Sequence, residues 1–359
     1  MEQPVPRLSR GERAPDFILP SLDGTPTRFY AKAGGTPTAL LFSDANQIDK
    51  ILCFSEELKN RNSIKMSILA ILENNLPLAQ SVATENKIDF PVFLDPQGTI
   101  KTTYRLVDDE KNIIFLLDPN LRVLTSIPLE DIQLAVKNLI SVFTESRPHV
   151  EPMEIKTQAP VLLLPNVLDP ELCLHLINVW EIKGNVETGV ELSQENRRQE
   201  VITSDSKSRR DHIVTDKKLL RFLSSSIGRR LMPEIQRAFA FKATRFEGFK
   251  IVCYDANTSG FFSAHRDNLS PSTAHRRFAL SLNLNQDYEG GYLRFPEFGP
   301  NLYQPGVGEA LVFSCSHLHE VTELINGRRF ALLSFLFSEA GSQSRSKSKN
   351  SSVSQDANG

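Results

Sequence analysis

The chain has no run of about 18 consecutive apolar residues, so a membrane-spanning helix is not expected. Cysteine is scarce: Cys53, Cys173, Cys253 and Cys315 are scattered, with no CxxC spacing and no short framework. Buried thiols in a reducing compartment fit that pattern better than disulfides, and a cytoplasmic location follows as the expectation. Charge of one sign is also missing. The 41 Lys and Arg balance 43 Asp and Glu to a net −2, so no global field draws the chain toward nucleic acid or an anionic membrane. Met1 to Ala14 is polar and lacks the apolar core of a secretory signal. No internal repeat of about 20–50 residues is present.

What is there is a globular composition, 40% hydrophobic and 23% charged, in 359 residues, too many for one ordinary core. The segment Glu145-Ser146-Arg147-Pro148-His149-Val150-Glu151-Pro152 interrupts the apolar periodicity, and the pattern changes style on either side of it. The expected organisation is a first domain over 8–145, a linker over 146–159, a second domain over 160–339 and a Ser/Lys/Asn-rich frayed tail over 340–359.

In the first half, short apolar runs at Thr38–Phe42, Met66–Leu72, Phe90–Leu94 and Ile113–Leu117 have the character of buried strands. Helical stretches lie between and after them at Ile48–Arg61, Leu76–Lys87, Thr99–Tyr104 and Leu129–Phe143. Alternation of this kind implies crossovers, a parallel or mixed sheet and an α/β sandwich. In the second half a strand at Val161–Leu164 precedes a helix over Pro170–Val179. The polar Gln194–His212 segment is expected to be an exposed loop, with Arg197-Arg198 and Arg209-Arg210 solvated, and Lys218–Phe239 an amphipathic helix. From Phe249 onward short strands separated by Gly, Pro and Asn predict an antiparallel sandwich or barrel behind a helical layer.

The chemistry starts at His265-Arg266-Asp267. In a strand, residues i and i+2 share a face, so His265 and Asp267 can point at one atom while Arg266 points away. An imidazole with a carboxylate suits Fe(II), Mn or Zn. A second His would complete a facial triad with three open coordination positions. His317 and His319 both follow a strand and share a parity, so periodicity does not choose between them. Arg329 opens the last strand, Phe330–Phe337, and its guanidinium offers a bidentate fork for a carboxylate.

Taken together, these pieces resemble the prolyl-4-hydroxylase-type 2-oxoglutarate/Fe(II) dioxygenases. Five parts match in order: Tyr254 with Gly260; His265 to Asp267; Gly290-Gly291-Tyr292-Leu293-Arg294-Phe295; Pro305 to Phe313; and Leu318-His319-Glu320-Val321 followed by Gly327-Arg328-Arg329. A lone HxD is more often a surface pair and a lone Arg a solvated one; the ordered set outweighs those readings. The resemblance implies a jelly-roll (double-stranded β-helix) core with flanking helices, and iron held by His265, Asp267 and His319. It also implies Arg329 and Tyr254 on the distal carboxylate of 2-oxoglutarate, no catalytic residue beyond the metal site, and support by L-ascorbate. Of the other polar residues, Arg276 and Arg277, at the start of a strand, and Asn283 and Asn285, on one strand face, are candidates for the pocket lining. His149, His175, His212 and His275 are expected to be structural or exposed.

Gly11-Glu12-Arg13-Ala14-Pro15-Asp16-Phe17, Phe90 to Pro96 and Phe115-Leu116-Leu117-Asp118-Pro119 resemble the peroxiredoxin (AhpC/TSA) family, which implies a thioredoxin-like fold for the first domain. The peroxidatic chemistry does not carry over. Asp44-Ala45-Asn46-Gln47 stands where the family places its Thr and Cys, and Asn112 where it places an activating Arg. Cys53 falls late, within a helix, and is expected to be buried and inert. The function expected is hydroxylation of a peptidyl residue, prolyl by family analogy, or of a small molecule, with release of succinate and CO2. The alternatives are a thiol peroxidase using Cys53 and a non-catalytic binding scaffold. The first domain is expected to serve as scaffold or to present substrate.

Overall fold

A computed structural model describes residues 7–61, 65–73, 77, 80, 81, 85, 88–107, 112–145, 151–188, 190–194, 197–201 and 206–339, with backbone alone for 190–194 and 197–201. Most of the helix expected at Leu76–Lys87, the first five residues of the linker (146–150) and the expected tail lie outside the described residues. The chain divides into two units, Met1–Pro152 and Met153–Gly359.

In the first unit a five-stranded mixed sheet runs in the order Val92–Leu94, Ser67–Glu73, Thr38–Asp44, Ile113–Leu117, Val123–Pro128. The first three strands are parallel and the last two antiparallel to their neighbours. Thr38–Asp44 is central and buried along nearly its whole length, which is why it lacks polar alternation. Its two faces bury different partners. Ala39 and Leu41, with Ala70, Leu72, Ile114 and Leu116, pack under the helices Ile48–Lys59 and Ile132–Glu145. Leu40 and Phe42, with Leu69, Ile71 and Phe115, pack against Phe17, Phe29 and Tyr104. This is the thioredoxin-like sandwich. The last helix starts at Ile132 rather than Leu129 because the Asp131 carboxylate accepts a hydrogen bond from the Leu134 amide at 3.0 Å, capping the first turn.

The expected burial of Cys53 is wrong. The helix Ile48–Lys59 buries Ile48, Ile51, Phe54, Ser55 and Leu58, a stripe at helical spacing, and Cys53 falls off that stripe into solvent.

The second unit is built on two large antiparallel sheets. The larger runs Leu162–Leu164, Ala310–Ser314, Phe278–Asn283, Leu324–Phe337, Lys250–Asp255, Arg210–Ile213, Val186–Glu187. The smaller runs Lys207–Ser208, Phe261–His265, His319–Val321, Leu293–Arg294, Leu302–Tyr303. Strand parity decides which side chains face which layer. Ile251, Cys253, Leu280, Leu282, Val312 and Leu332 pack under the helices Pro170–Lys183 and Lys217–Phe239. Val252, Tyr254, Ala279, Leu311, Phe313 and Ala331 face the smaller sheet and pack with Leu293, Phe295 and Val321. This is the jelly-roll core with a helical layer on its outer face. Both helices begin where the sequence sets them: Pro170 occupies the first turn of one, and the Asp216 carboxylate accepts from the Leu219 amide at 2.7 Å to cap the other.

The loop expected over Gln194–His212 is also corrected. Val190–Gln194 and Arg197–Val201 pair as a hairpin, and Lys207–Ser208 and Arg210–Ile213 join the two sheets. High charge hid the later strands because Lys207, Arg209 and Asp211 are buried inside the unit rather than solvated.

Ile227 is fully buried between the helical layer and the larger sheet. Ile227→Ala is expected to destabilise the second unit by about 2–5 kcal/mol in urea unfolding; an unchanged midpoint would contradict this packing.

Candidate functional site

His265 ends the strand Phe261–His265 and His319 begins His319–Val321, and the two are direct cross-strand partners in the smaller sheet. Asp267 follows two residues after His265. His265, Asp267 and His319 each offer a ligand atom, all within 4.8 Å of one another. His265 Nε2 lies 3.5 Å from Asp267 Oδ1, and His319 Nε2 lies 3.4 Å from Oδ2. The other ring nitrogens fix the imidazoles. His265 Nδ1 is 2.8 Å from the Ser263 carbonyl and His319 Nδ1 is 3.0 Å from the His317 carbonyl. A carbonyl only accepts, so each Nδ1 carries the proton and each Nε2 turns its lone pair toward Asp267.

The electrostatics keep this donor set ready for a cation. Burial pushes the Asp267 carboxyl up, but His319, His265 and Arg276 more than reverse it and hold it below the ordinary carboxylate range. Burial pulls His319 below the ordinary imidazole value, which favours the neutral, ligating form. His317, left open in the sequence as a rival, offers the cluster its backbone carbonyl, while its ring lies edge-on to Phe298.

Tyr254 and Arg329 are cross-strand partners in the larger sheet, and both are buried. Among the described residues Arg329 has no carboxylate partner. Its guanidinium lies 5.5 Å from the centre of the Tyr254 ring, and Nη2 donates a long 3.4 Å bond to the Ser281 hydroxyl. A buried arginine left this way is set to receive an anion. Gly291 makes room for it. Gly291 has φ +62°, and a Cβ there would meet Leu324 Cδ1 at 2.8 Å and Arg329 Cδ at 3.1 Å.

Arg209, expected to be solvated, is buried. Nε and Nη2 grip the Asp211 carboxylate at 2.6 and 2.7 Å, and Nη1 donates to the Tyr254 hydroxyl at 3.3 Å. Its guanidinium also lies 5.6 Å from the centre of the Phe262 ring, and Phe262 stacks on His265 at 3.7 Å. A continuous chain of contacts therefore runs from Arg329 through Tyr254, Arg209 and Phe262 to His265. The overlooked signal was the Arg209-Arg210-Asp211 spacing. Opposite charges at i and i+2 share one strand face, as in the HxD pair.

Among the remaining candidates, Arg276 stands behind the cluster. It grips Glu247 through two 2.7 Å bonds, donates to the Asp267 carbonyl at 3.3 Å and stacks on Phe335 at 3.9 Å. Arg277 is exposed. Asn283 and Asn285 brace backbone: Asn283 Nδ2 donates to the Asn285 and Pro305 carbonyls, and Asn285 bonds the Arg328 carbonyl and the Phe330 amide. In the first unit, at the end of the central strand, the Ser43 hydroxyl donates to Asn112, which donates to Gln47, at 2.7 and 2.6 Å. A neutral amide chain holds that position, and Cys53 lies elsewhere on the helix surface.

Residues 249–337 match the model of the 2OG-Fe(II) oxygenase superfamily, and residues 10–125 match that of the AhpC/TSA family. No curated protein matches the chain. Similar solved structures include a Trichoplax adhaerens prolyl hydroxylase in complex with a hypoxia inducible factor peptide fragment (17% identity, 51% of this chain and 86% of that one, TM-score 0.42). A Pseudomonas putida prolyl-4-hydroxylase is also similar (16%, 50% and 94%, 0.38), as is a Mycobacterium tuberculosis peroxidoxin (22%, 39% and 99%, 0.35). The second unit thus carries a 2OG-Fe(II) oxygenase domain match over residues 249–337, and the first an AhpC/TSA match over residues 10–125.

Proposed function

We propose that the second unit hydroxylates an unactivated C–H bond of a peptidyl residue, prolyl by family likeness, or of a small molecule. The reaction converts substrate, O₂ and 2-oxoglutarate into hydroxylated product, succinate and CO₂. One oxygen atom enters the new hydroxyl and the other the succinate carboxylate. His265, Asp267 and His319 hold Fe(II), which supplies the redox chemistry that activates O₂. Two neutral imidazoles and one carboxylate fit that ion, and three ligands from the protein leave positions open for the co-substrate.

The observation that carries this reading is the buried Arg329, without a carboxylate partner among the described residues, beside Tyr254 and joined by ring and guanidinium contacts to His265. Arg329 and Tyr254 receive the distal carboxylate of 2-oxoglutarate. Arg276 holds the backbone of Asp267 from behind, and the Ser263 and His317 carbonyls hold the imidazoles. The chain's own residues therefore orient the co-substrate and keep the ligand shell in place before substrate arrives. L-ascorbate would support turnover as an external reductant. No helix among the described residues is long and apolar enough to cross a membrane, and all four cysteines are free thiols, which fits a cytoplasmic site of action.

Four outcomes are expected. Purified protein given Fe(II) and 2-oxoglutarate forms succinate slowly even without substrate. Asp267→Ala or His319→Ala abolishes both this turnover and Mn(II) binding, whereas His317→Ala retains Mn(II) binding. Loss of Mn(II) binding in His317→Ala with retention in His319→Ala would reverse the ligand assignment. Arg329→Ala removes one side of a buried charge pair, worth about 2–5 kcal/mol, so calorimetry should show 2-oxoglutarate binding weakened about 30-fold or more. Cys53→Ser is expected to leave peroxide consumption with thioredoxin unchanged; a drop to background would restore the thiol peroxidase reading.

A further inference from the structure

A phenol has one proton to donate and lone pairs to accept with. At Tyr254 the accepting side is taken by Arg209 Nη1 at 3.3 Å, while the hydroxyl proton has no acceptor among the described residues. Arg209 itself is not free to move. Its carboxylate partner Asp211 is buried and grips it at two points, 2.6 and 2.7 Å, in the planar fork-to-carboxylate geometry that fixes a guanidinium. Burial pushes the Asp211 carboxyl up, and the Arg209 charge more than reverses this, so the pair stays ionised.

The backbone is held as well. Lys207–Ser208 pairs with Phe261–Phe262 in the smaller sheet, and Arg210–Ile213 pairs with Lys250–Cys253 in the larger. Arg209 is the single residue between, where the chain steps from one sheet to the other, and its carbonyl accepts from the Thr188 amide at 3.3 Å. One side chain thus touches the phenol of the larger sheet and the Phe262 ring that lies on His265 in the smaller.

We infer that Arg209, clamped by Asp211, is a positioning residue that turns the Tyr254 hydroxyl proton toward the 2-oxoglutarate carboxylate. The inference rests on the proposed binding of that carboxylate by Tyr254 and Arg329. It assigns to a charged pair outside the metal cluster a share of co-substrate affinity, exerted through a neutral hydroxyl. A surface ion pair in the same segment would contribute little; this one acts because water is excluded around it and the hydroxyl has a single proton to direct.

The test is a double-mutant cycle on the full chain loaded with Mn(II), with 2-oxoglutarate binding read by calorimetry. Tyr254→Phe and Arg209→Met should each weaken binding about 10-fold or more, the scale of a hydrogen bond to a charged group. The double variant should be no weaker than Tyr254→Phe alone, and Mn(II) affinity should change less than about twofold in all three. Arg209→Lys should recover part of the loss. If Arg209→Met does not fold, Asp211→Asn keeps the guanidinium and loosens its clamp, and it should weaken binding only when the Tyr254 hydroxyl is present. Equal, additive losses in the presence and absence of that hydroxyl would overturn the inference and leave a structural ion pair. Absence of 2-oxoglutarate binding in the wild-type Mn(II) protein would overturn it together with the function it rests on, whereas wild-type binding with an additive cycle removes the inference alone.

Discussion

Two cross-strand pairs, one in each sheet of the jelly roll, set up everything else in the oxygenase unit. In the smaller sheet His265 stands opposite His319; in the larger, Tyr254 stands opposite Arg329. Antiparallel register brings residues far apart along the chain to within side-chain reach, and parity aims them into the space between the sheets. A slip of one residue in either strand would turn an imidazole or the guanidinium to the opposite face. The apolar alternation that packs Ile251, Cys253 and Leu332 under the helices is therefore also what aims Tyr254 and Arg329 at the site.

The polar groups are arranged so that every directional choice is already made. Backbone carbonyls of Ser263 and His317 take the Nδ1 protons, Arg276 holds the Asp267 carbonyl, and Arg209 occupies the accepting side of the Tyr254 hydroxyl. Among the described residues, what is left over is two imidazole Nε2 atoms, a carboxylate, a phenolic proton and a buried guanidinium without a carboxylate. That remainder is complementary to a divalent cation and a dicarboxylate. The first unit shows the contrast. The end of its central strand carries Ser43, Asn112 and Gln47 bonded to one another, with no thiol and no cation in the chain of bonds.

Much of this was legible in the sequence, because the signals involved are local. Continuous apolar runs gave the central strands of the first unit, and His265-x-Asp267 declared a shared face. The HxD pair, His319 and Arg329 in their ordered motifs pointed to the chemistry. The sequence was misleading where a residue's environment is set by distant partners. Cys53 looked apolar among Leu52 and Phe54, yet the helix turns it outward. Arg209 looked solvated in a run of charges, yet Asp211, Tyr254 and Phe262 enclose it. Asn283 ends its strand and Asn285 lies beyond it, and the two hold backbone carbonyls and an amide. In each case the missing information was the tertiary neighbour, which periodicity does not carry.

The account stands or falls on one divalent ion shared by three side chains beside a waiting guanidinium. A crystal structure of the full chain with Mn(II) and 2-oxoglutarate, with anomalous scattering to locate the metal, tests it directly. The expected result is a single peak bonded to His265 Nε2, the Asp267 carboxylate and His319 Nε2, with the distal carboxylate of 2-oxoglutarate on Arg329 and Tyr254. A metal bound elsewhere, or a co-substrate that leaves Arg329 without an anion, would contradict it.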